Sequence, residues 1–258
     1  MKSKKAVGHV EVILSFVIFI GFLTFLFFIF RPFDLISNNS LVDSVFLNMK
    51  EELGTKVSIV SISLSDSVIS NFDKDCFGIT DANDFLEETN CKDNTQIIVR
   101  DKNNDLRDVH INAPETTPKV QIELKSPPTD LLNNKFYTIL CSEDFEKTNP
   151  VLIGCENIDN EGTDYDLGII NEKDVWSNKK LEAFKTEYET DYQTLKTKIV
   201  PEGSDFGFKL WNLDVPDTPL LEAGVSPEGT RVDAKTIPID VLEEDGTIKK
   251  RTITIISW

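Results

Sequence analysis

Histidine is almost missing from this chain: there are two among 258 residues, His9 and His110. His9 precedes the apolar start of the protein, so a Ser-His-Asp or Cys-His arrangement would have to use His110. That residue lies between Val109 and Ile111 in a segment that reads as a strand, where a packed or outward-facing imidazole is the expectation. No HExxH, phosphate-binding glycine loop or GxSxG pattern occurs. Pairs of carboxylates that could cut glycosides exist, but in so acidic a chain some pair is always available. The reading is therefore no enzyme, with no catalytic residue and no cofactor. Positive charge is the second scarcity, with 27 Lys+Arg against 44 Asp+Glu and a formal charge of −17. Lys2, Lys4 and Lys5 open the chain and Glu11 is the only acid in the first 30 residues, so the remainder holds 24 basic and 43 acidic residues, a charge of −19. Such a polyanion repels phosphate backbones and excludes nucleic acid as a partner.

Long apolar runs are missing as well, with one exception. From Val12 to Phe30 there are 19 consecutive uncharged residues, diluted only by Ser15, Gly21 and Thr24. As a helix this run spans roughly 28 Å, close to the hydrocarbon thickness of a bilayer. It has no polar stripe of the kind a buried soluble helix shows, so a single membrane span in a lipid bilayer is predicted over 12–30. Three Lys precede it and Arg31 follows, which places the N-terminus in the cytoplasm and the rest outside the plasma membrane.

Cysteine is sparse but even: Cys76, Cys91, Cys141 and Cys155, all in the predicted outer part. Disulfides are the expectation there. Local pairing, Cys76–Cys91 and Cys141–Cys155, would close two loops of similar length, each worth about 3 kcal/mol. Three connectivities are possible, and spacing does not choose among them. Neither pair has the close spacing of a zinc site, so no metal is expected there. Asn38-Asn39-Ser40 is a weak glycosylation sequon, at Asn38, just beyond the span.

The residues before the span carry more information. Lys4-Lys5-Ala6-Val7-Gly8-His9-Val10-Glu11 is a short basic leader, a small residue, four further residues and a glutamate, followed by the apolar run. No small-x-small cleavage pattern follows the span. This arrangement resembles the class III signal of type IV pilins and archaeal pilin-like proteins. The resemblance covers about the first 50 residues. It implies a prepilin-type peptidase that cuts between Ala6 and Val7, with Lys5 just before the bond. Glu11 would be the fifth residue of the mature chain. The departures are Ala6 where Gly is commoner and Val7 where Phe or Gln is usual. In this family the apolar helix is kept and packs with other pilin-like subunits, and the implied partner of Glu11 is the new N-terminal amine. Independently of the family, a carboxylate at the edge of an apolar helix is costly and seeks a partner or the head groups. The resemblance thus implies a minor pilin or pseudopilin-like subunit of a cell-surface filament or secretion apparatus. The alternative is a permanently anchored outer binding domain with no filament role.

The fold class expected is α+β: a leader over 1–6, a long N-terminal helix over 7–54, and one extracytoplasmic antiparallel-sheet domain with a packed helix over 55–258. Within the N-terminal helix the membrane part is 12–30 and the amphipathic part 37–53, with a kink at Pro32. Leu41, Val42, Val45, Phe46, Met49 and Leu53 recur at helical spacing, and Gly54 is a candidate C-cap. Lys56–Leu64 alternates as a strand. Ile97–Val99 and Val109–Ile111 flank Asp101-Lys102-Asn103-Asn104-Asp105 as a hairpin, and Val120–Leu124, Phe136–Leu140 and Tyr165–Ile170 are further strands. Asn178–Ile199 reads as one amphipathic helix of about six turns. Phe206–Trp211 precedes a terminal hairpin, Thr236–Leu242 and Thr247–Ile256, turning at Asp245-Gly246. Asp101-x-Asn103-x-Asp105 matches the first calcium-ligand positions of an EF-hand, but Leu106 stands where Gly is needed and Asn112 where the bidentate Glu belongs. A turn is expected there, and the acidic stretch Asp159–Asp166 is a second oxygen-rich loop.

Overall fold

Helix α1 (Lys5–Phe30) is followed by α2 (Leu41–Leu53), whose last residue runs directly into strand β1 (Gly54–Leu64) without a loop. The computed structural model describes residues 5–30, 41–69, 74–80, 82–89, 91, 93–112, 118–124, 135–159, 161–200, 203–213, 215–225, 228–229 and 232–258; along α1 it describes the side chains of Val12 to Phe25. Gly54 is required by close approach rather than by a left-handed backbone: a Cβ there would lie 2.5 Å from the carbonyl oxygen of Lys50.

The other elements are α3 (Asp66–Ile69), β2 (Cys76–Ile79), α4 (Asn83–Thr89), β3 (Ile97–Asp101), β4 (Leu106–Arg107), β5 (Val109–Asn112), β6 (Lys119–Glu123), β7 (Phe136–Cys141), β8 (Glu156–Ile158) and β9 (Tyr165–Leu167). They continue with β10 (Asn171–Ser177), α5 (Asn178–Thr190), α6 (Tyr192–Ile199), β11 (Phe206–Asn212), β12 (Val215–Ala223), β13 (Asp233–Leu242) and β14 (Ile248–Ser257). They build an α+β fold on two sheets. A 10-stranded sheet has the order β12-β11-β14-β13-β10-β1-β7-β3-β4, with β9 also on β1, and a 4-stranded sheet has the order β5-β6-β2-β8. The expectation of an antiparallel sheet holds for most pairs, but β10–β13 and β2–β8 are parallel, so both sheets are mixed.

Alternation along β1 explains the layers. Val60, Ile62 and Leu64 face the small sheet and pack with Phe77, Ile122 and Ile139. On the same side of the large sheet, farther toward β14, the helices form a second core. There Val42, Val45, Met49 and Leu53 of α2 meet Leu181, Phe184, Leu195, Phe206, Phe208 and Ile253. Those α2 residues are 0–2% exposed, and their spacing of three and four is the stripe read from the sequence. Asn48 of α2 also donates to the carbonyl of Ile199 at 2.9 Å, satisfying one of the carbonyls left open at the end of α6. The opposite face of β1 carries Val57, which joins Ile98, Leu140, Phe145, Val175 and Leu242. The tip of the β13–β14 hairpin reaches this face. Gly246, at φ 81°, lies against Ile98 and Phe145, and Arg100 of β3 donates to the Asp245 carbonyl at 2.6 Å and to Thr247 Oγ1 at 3.1 Å.

Three sequence expectations are corrected here. The predicted hairpin over 97–111 turns where expected, at Asp101–Asp105, but its second strand is only Leu106–Arg107; after Asp108 the chain leaves for the small sheet, where Val109–Asn112 pairs with β6. The strand read as Tyr165–Ile170 stops at Leu167, because β9 and β10 pair with β1 one residue out of register (Leu167↔Ile62, Asn171↔Ile59) and the chain bulges between them. The six-turn helix is two helices. Asp191 (φ −142°, ψ 56°) interrupts it and caps α6 by accepting from the Thr194 N–H at 3.4 Å.

That break leaves Tyr188 and Tyr192 side by side, with ring centroids 4.7 Å apart against Phe206. Tyr188 donates to the Phe206 carbonyl at 2.6 Å, and Tyr192 donates to Asp205 Oδ1 at 2.8 Å. Burial pushes the Tyr192 phenol well up from its ordinary value, and its donated bond to Asp205 adds to this. Lys196 first, and Tyr192 second, hold the Asp205 carboxyl below its ordinary 3.8. A depressed carboxyl stabilises the fold above its unfolded pKa, and that contribution is lost as pH falls below about 4 toward the folded value. The thermal midpoint of the wild type should therefore fall more steeply between pH 5 and pH 2, ranges estimated from that linkage, than that of Asp205→Asn. Equal slopes would show that the Lys196–Asp205 pair contributes nothing.

Candidate functional site

Lys5 begins helix α1, so the Ala6–Val7 bond lies in its first turn and Glu11 stands one turn beyond Val7 on the same face. All four predicted processing and assembly residues, Lys5, Ala6, Val7 and Glu11, thus lie on one continuous backbone helix of 26 residues. From Val12 to Phe25 the helix carries no charge, and only Ser15, Gly21 and Thr24 interrupt its apolar residues. Its described side chains stand in the open: Phe16 is 64% exposed, Phe19 57% and Phe25 59%. Among the described residues no helix is long and apolar enough to cross a membrane. The side chains described along α1 cover only Val12 to Phe25, whereas the uncharged run to Phe30 lies wholly inside its backbone helix. The predicted sequon at Asn38 and the predicted kink at Pro32 lie outside the described residues.

Where α2 meets the sheet there is an open cleft of about 500 Å³, lined among others by Phe46, Leu47, Lys50, Lys56, Trp176 and Pro238. It exists because β10 and β13 pair only at Trp176↔Val241 and Ser177↔Leu242 and then diverge. Phe46 stacks on Trp176 with centroids 5.8 Å apart, Leu47 is 60% exposed, and the Lys173–Asp240 ion pair at 2.8 Å bridges the two strands. Pro238 carries no N–H for a ladder, which discourages a further strand from pairing in the gap. The sequence held the signal for this cleft in the apolar Phe46-Leu47 pair, one of which lies off the buried stripe of α2.

The four cysteines form Cys76–Cys155 and Cys91–Cys141, not the local pairs weighed from the sequence. The reason is strand register. Phe77 pairs with Glu156 in the parallel β2–β8 ladder, so Cys76 and Cys155 fall opposite each other with Cα atoms 4.7 Å apart. Cys141 ends β7 opposite Ile97, and Cys91 lies just ahead of that strand.

The two oxygen-rich loops are organised by their own hydrogen bonds. Asp101 Oδ1 accepts from the backbone N–H groups of Asn103 at 2.8 Å and Asp105 at 3.0 Å, and Oδ2 is paired with Arg107. With Asp101 so engaged, the partial EF-hand pattern is a turn. In the second loop Asp159 Oδ1 accepts from Thr80, and Asp164 Oδ2 accepts from the Asp159 N–H at 3.3 Å. Among the described residues no group of three His, Cys, Asp or Glu is placed to hold a metal ion. His110 is half-buried in β5 opposite Gln121, and no hydrogen bond to its Nδ1 is formed among the described residues. Comparison with known proteins finds no matching family model, no matching curated protein and no matching solved structure.

Proposed function

We propose that the chain is a membrane-anchored, pilin-like subunit of a cell-surface filament or pseudopilus-type apparatus, cut between Ala6 and Val7 on the cytoplasmic side. The observation that carries this reading is the succession of two helices with opposite surfaces. Over Val12 to Phe25, helix α1 presents exposed, uncharged and almost wholly apolar side chains, which is the surface of a segment suited to lipid or to other apolar helices. Helix α2, ten residues later, buries Val42, Val45, Met49 and Leu53 in the folded domain. The first described element after α1 is therefore part of the core of the domain and not a surface appendage. Two disulfides suit an oxidising space outside the membrane, and the −19 charge beyond residue 30 suits a solvated outer surface. The partners in this reading are the bilayer, a prepilin-type peptidase and other pilin-like subunits.

Mass spectrometry of the mature N-terminus tests the proposal. A chain beginning at Val7 is expected; an intact Met1 end sinks it and leaves a permanently anchored outer domain, and a cut beyond Phe33 sinks it and leaves a domain released from its anchor. In a cut chain Glu11 lies one helical turn from the new amine, on the same face. Glu11→Ala should accordingly be processed normally yet be nearly lost from sheared surface material. Wild-type recovery of that variant would remove the assembly role from Glu11.

A further inference from the structure

The far side of the large sheet carries an ordered surface that the anchor and the disulfides do not use. We infer that this face binds a neutral glycan, with a sugar ring stacked on the indole of Trp211.

Register builds the face. Trp211 of β11 stands opposite Thr252 of β14, which stands opposite Pro238 of β13; one row along, Lys209, Thr254 and Thr236 line up in the same way. Alternation turns these residues away from Phe208, Leu210, Ile253 and Ile255, which face the helices. Thr236 and Pro238 are exposed, and Trp211, Thr252 and Thr254 are half-buried. Trp211 Nε1 donates to Thr254 Oγ1 at 3.2 Å. Thr254 is opposite Lys209, two residues from Trp211 along the strand, so the indole is drawn along the sheet surface and does not stand up from it. The indole N–H is thus tied to the sheet, and the half-buried ring keeps part of its surface open to solvent. Thr254 Oγ1 lies 3.0 Å from Thr236 Oγ1, which extends the hydrogen-bonded line to a third strand. The ring is held in place before any ligand arrives, which lowers the ordering cost of binding.

A sugar ring matches this surface on each count. Its C–H face is weakly positive and suits the negative face of an indole. Its hydroxyls, which both donate and accept, suit the threonine hydroxyls beside the ring. Charge argues for a neutral ligand. Lys209 is paired with Glu222 and Asp240 with Lys173, so the charges beside Trp211 are largely neutralised, and exposed Lys250 is the further cation at the end of the face. An anionic chain would also approach a domain of net −19. A second copy of this protein would bring the same repulsion.

Native affinity electrophoresis of the full chain in detergent, with dextran, mannan, xylan, hydroxyethylcellulose or alginate in the gel, tests the inference. At least one of the four neutral polysaccharides should retard the wild type, and Trp211→Ala should weaken that interaction about tenfold or more. Thr254→Val keeps side-chain shape but removes the acceptor of the indole N–H; it should weaken binding severalfold while leaving the thermal midpoint in place, which covers the case in which Trp211→Ala fails to fold. Retardation by none of the neutral polysaccharides, retardation by alginate alone, or wild-type binding by both variants would overturn it. The outcome does not depend on whether the Ala6–Val7 bond is cut.

Discussion

Replacing Cys91 and Cys141 together by alanine is expected to lower the folding free energy by about 4 kcal/mol, the loop-entropy value for a bridge of this span. The two bridges are nested: Cys91–Cys141 closes 50 residues inside the 79 closed by Cys76–Cys155. With the inner bridge intact the outer one closes effectively about 29 residues, so its own removal should cost a similar amount, about 3.5 kcal/mol. Cys76, Cys91 and Cys141 are 2–5% exposed, and alanine in their place adds a packing loss to the entropic one. Removing both bridges consumes most of the net stability of an ordinary domain, about 5–15 kcal/mol, and should leave the chain largely unfolded at 37 °C. Urea titration of the single-bridge variants gives the two values. A shift of under about 1 kcal/mol for the inner pair would contradict the loop argument. Peptide mapping without reductant decides the pairing itself, since a Cys76–Cys91 peptide could not come from this fold.

The nesting also marks where sequence reasoning stops. Elements whose pattern is local were legible. The three-and-four spacing of Val42, Val45, Met49 and Leu53 gave α2, the alternation from Val57 to Leu64 gave β1 with both of its faces, and Asp245-Gly246 gave the terminal hairpin. The leader pattern, the uncharged apolar run and Glu11 are read from the sequence alone, and they support the functional proposal. What was not legible depends on distant partners. Strands β2 and β8 have four and three residues, too few to show a period, and their parallel pairing is what brings Cys76 to Cys155. The switch of the chain from β4 to β5 occurs at Asp108, where nothing in the sequence separates one strand that bends from two strands in different sheets. Asp191 breaks an otherwise regular apolar stripe because its side chain caps the next helix, and a cap inside a helix-like pattern is visible only with the backbone in view. The Trp211 face is of the same kind: it is assembled from β11, β13 and β14 by register.

Asp101→Ala should be the most damaging single substitution outside the apolar cores, at about 3–5 kcal/mol. The Asp101 side chain is 0% exposed and that of Arg107 is 4% exposed, and the two form an ion pair at the foot of the β3–β4 turn. Asp101 also accepts the N–H groups of Asn103 and Asp105, which hold Asn104 at φ 68°, a left-handed conformation that Asn tolerates better than most residues. Alanine removes three acceptor contacts at once and leaves the Arg107 charge buried without this carboxylate. Arg107→Met should cost less, because the carboxylate keeps its two backbone donors while methionine fills the space of the arginine stem. The ordering of the two variants separates this account from simple loss of a salt bridge, which would make them equal. It also bears on the acidic turn as a cation site. If Asp101 is engaged by Arg107 and the turn backbone, excess calcium should leave the thermal midpoint of the wild type where it was. A calcium-dependent rise that Asp101→Ala abolishes would show instead that the carboxylate exchanges Arg107 for a metal ion.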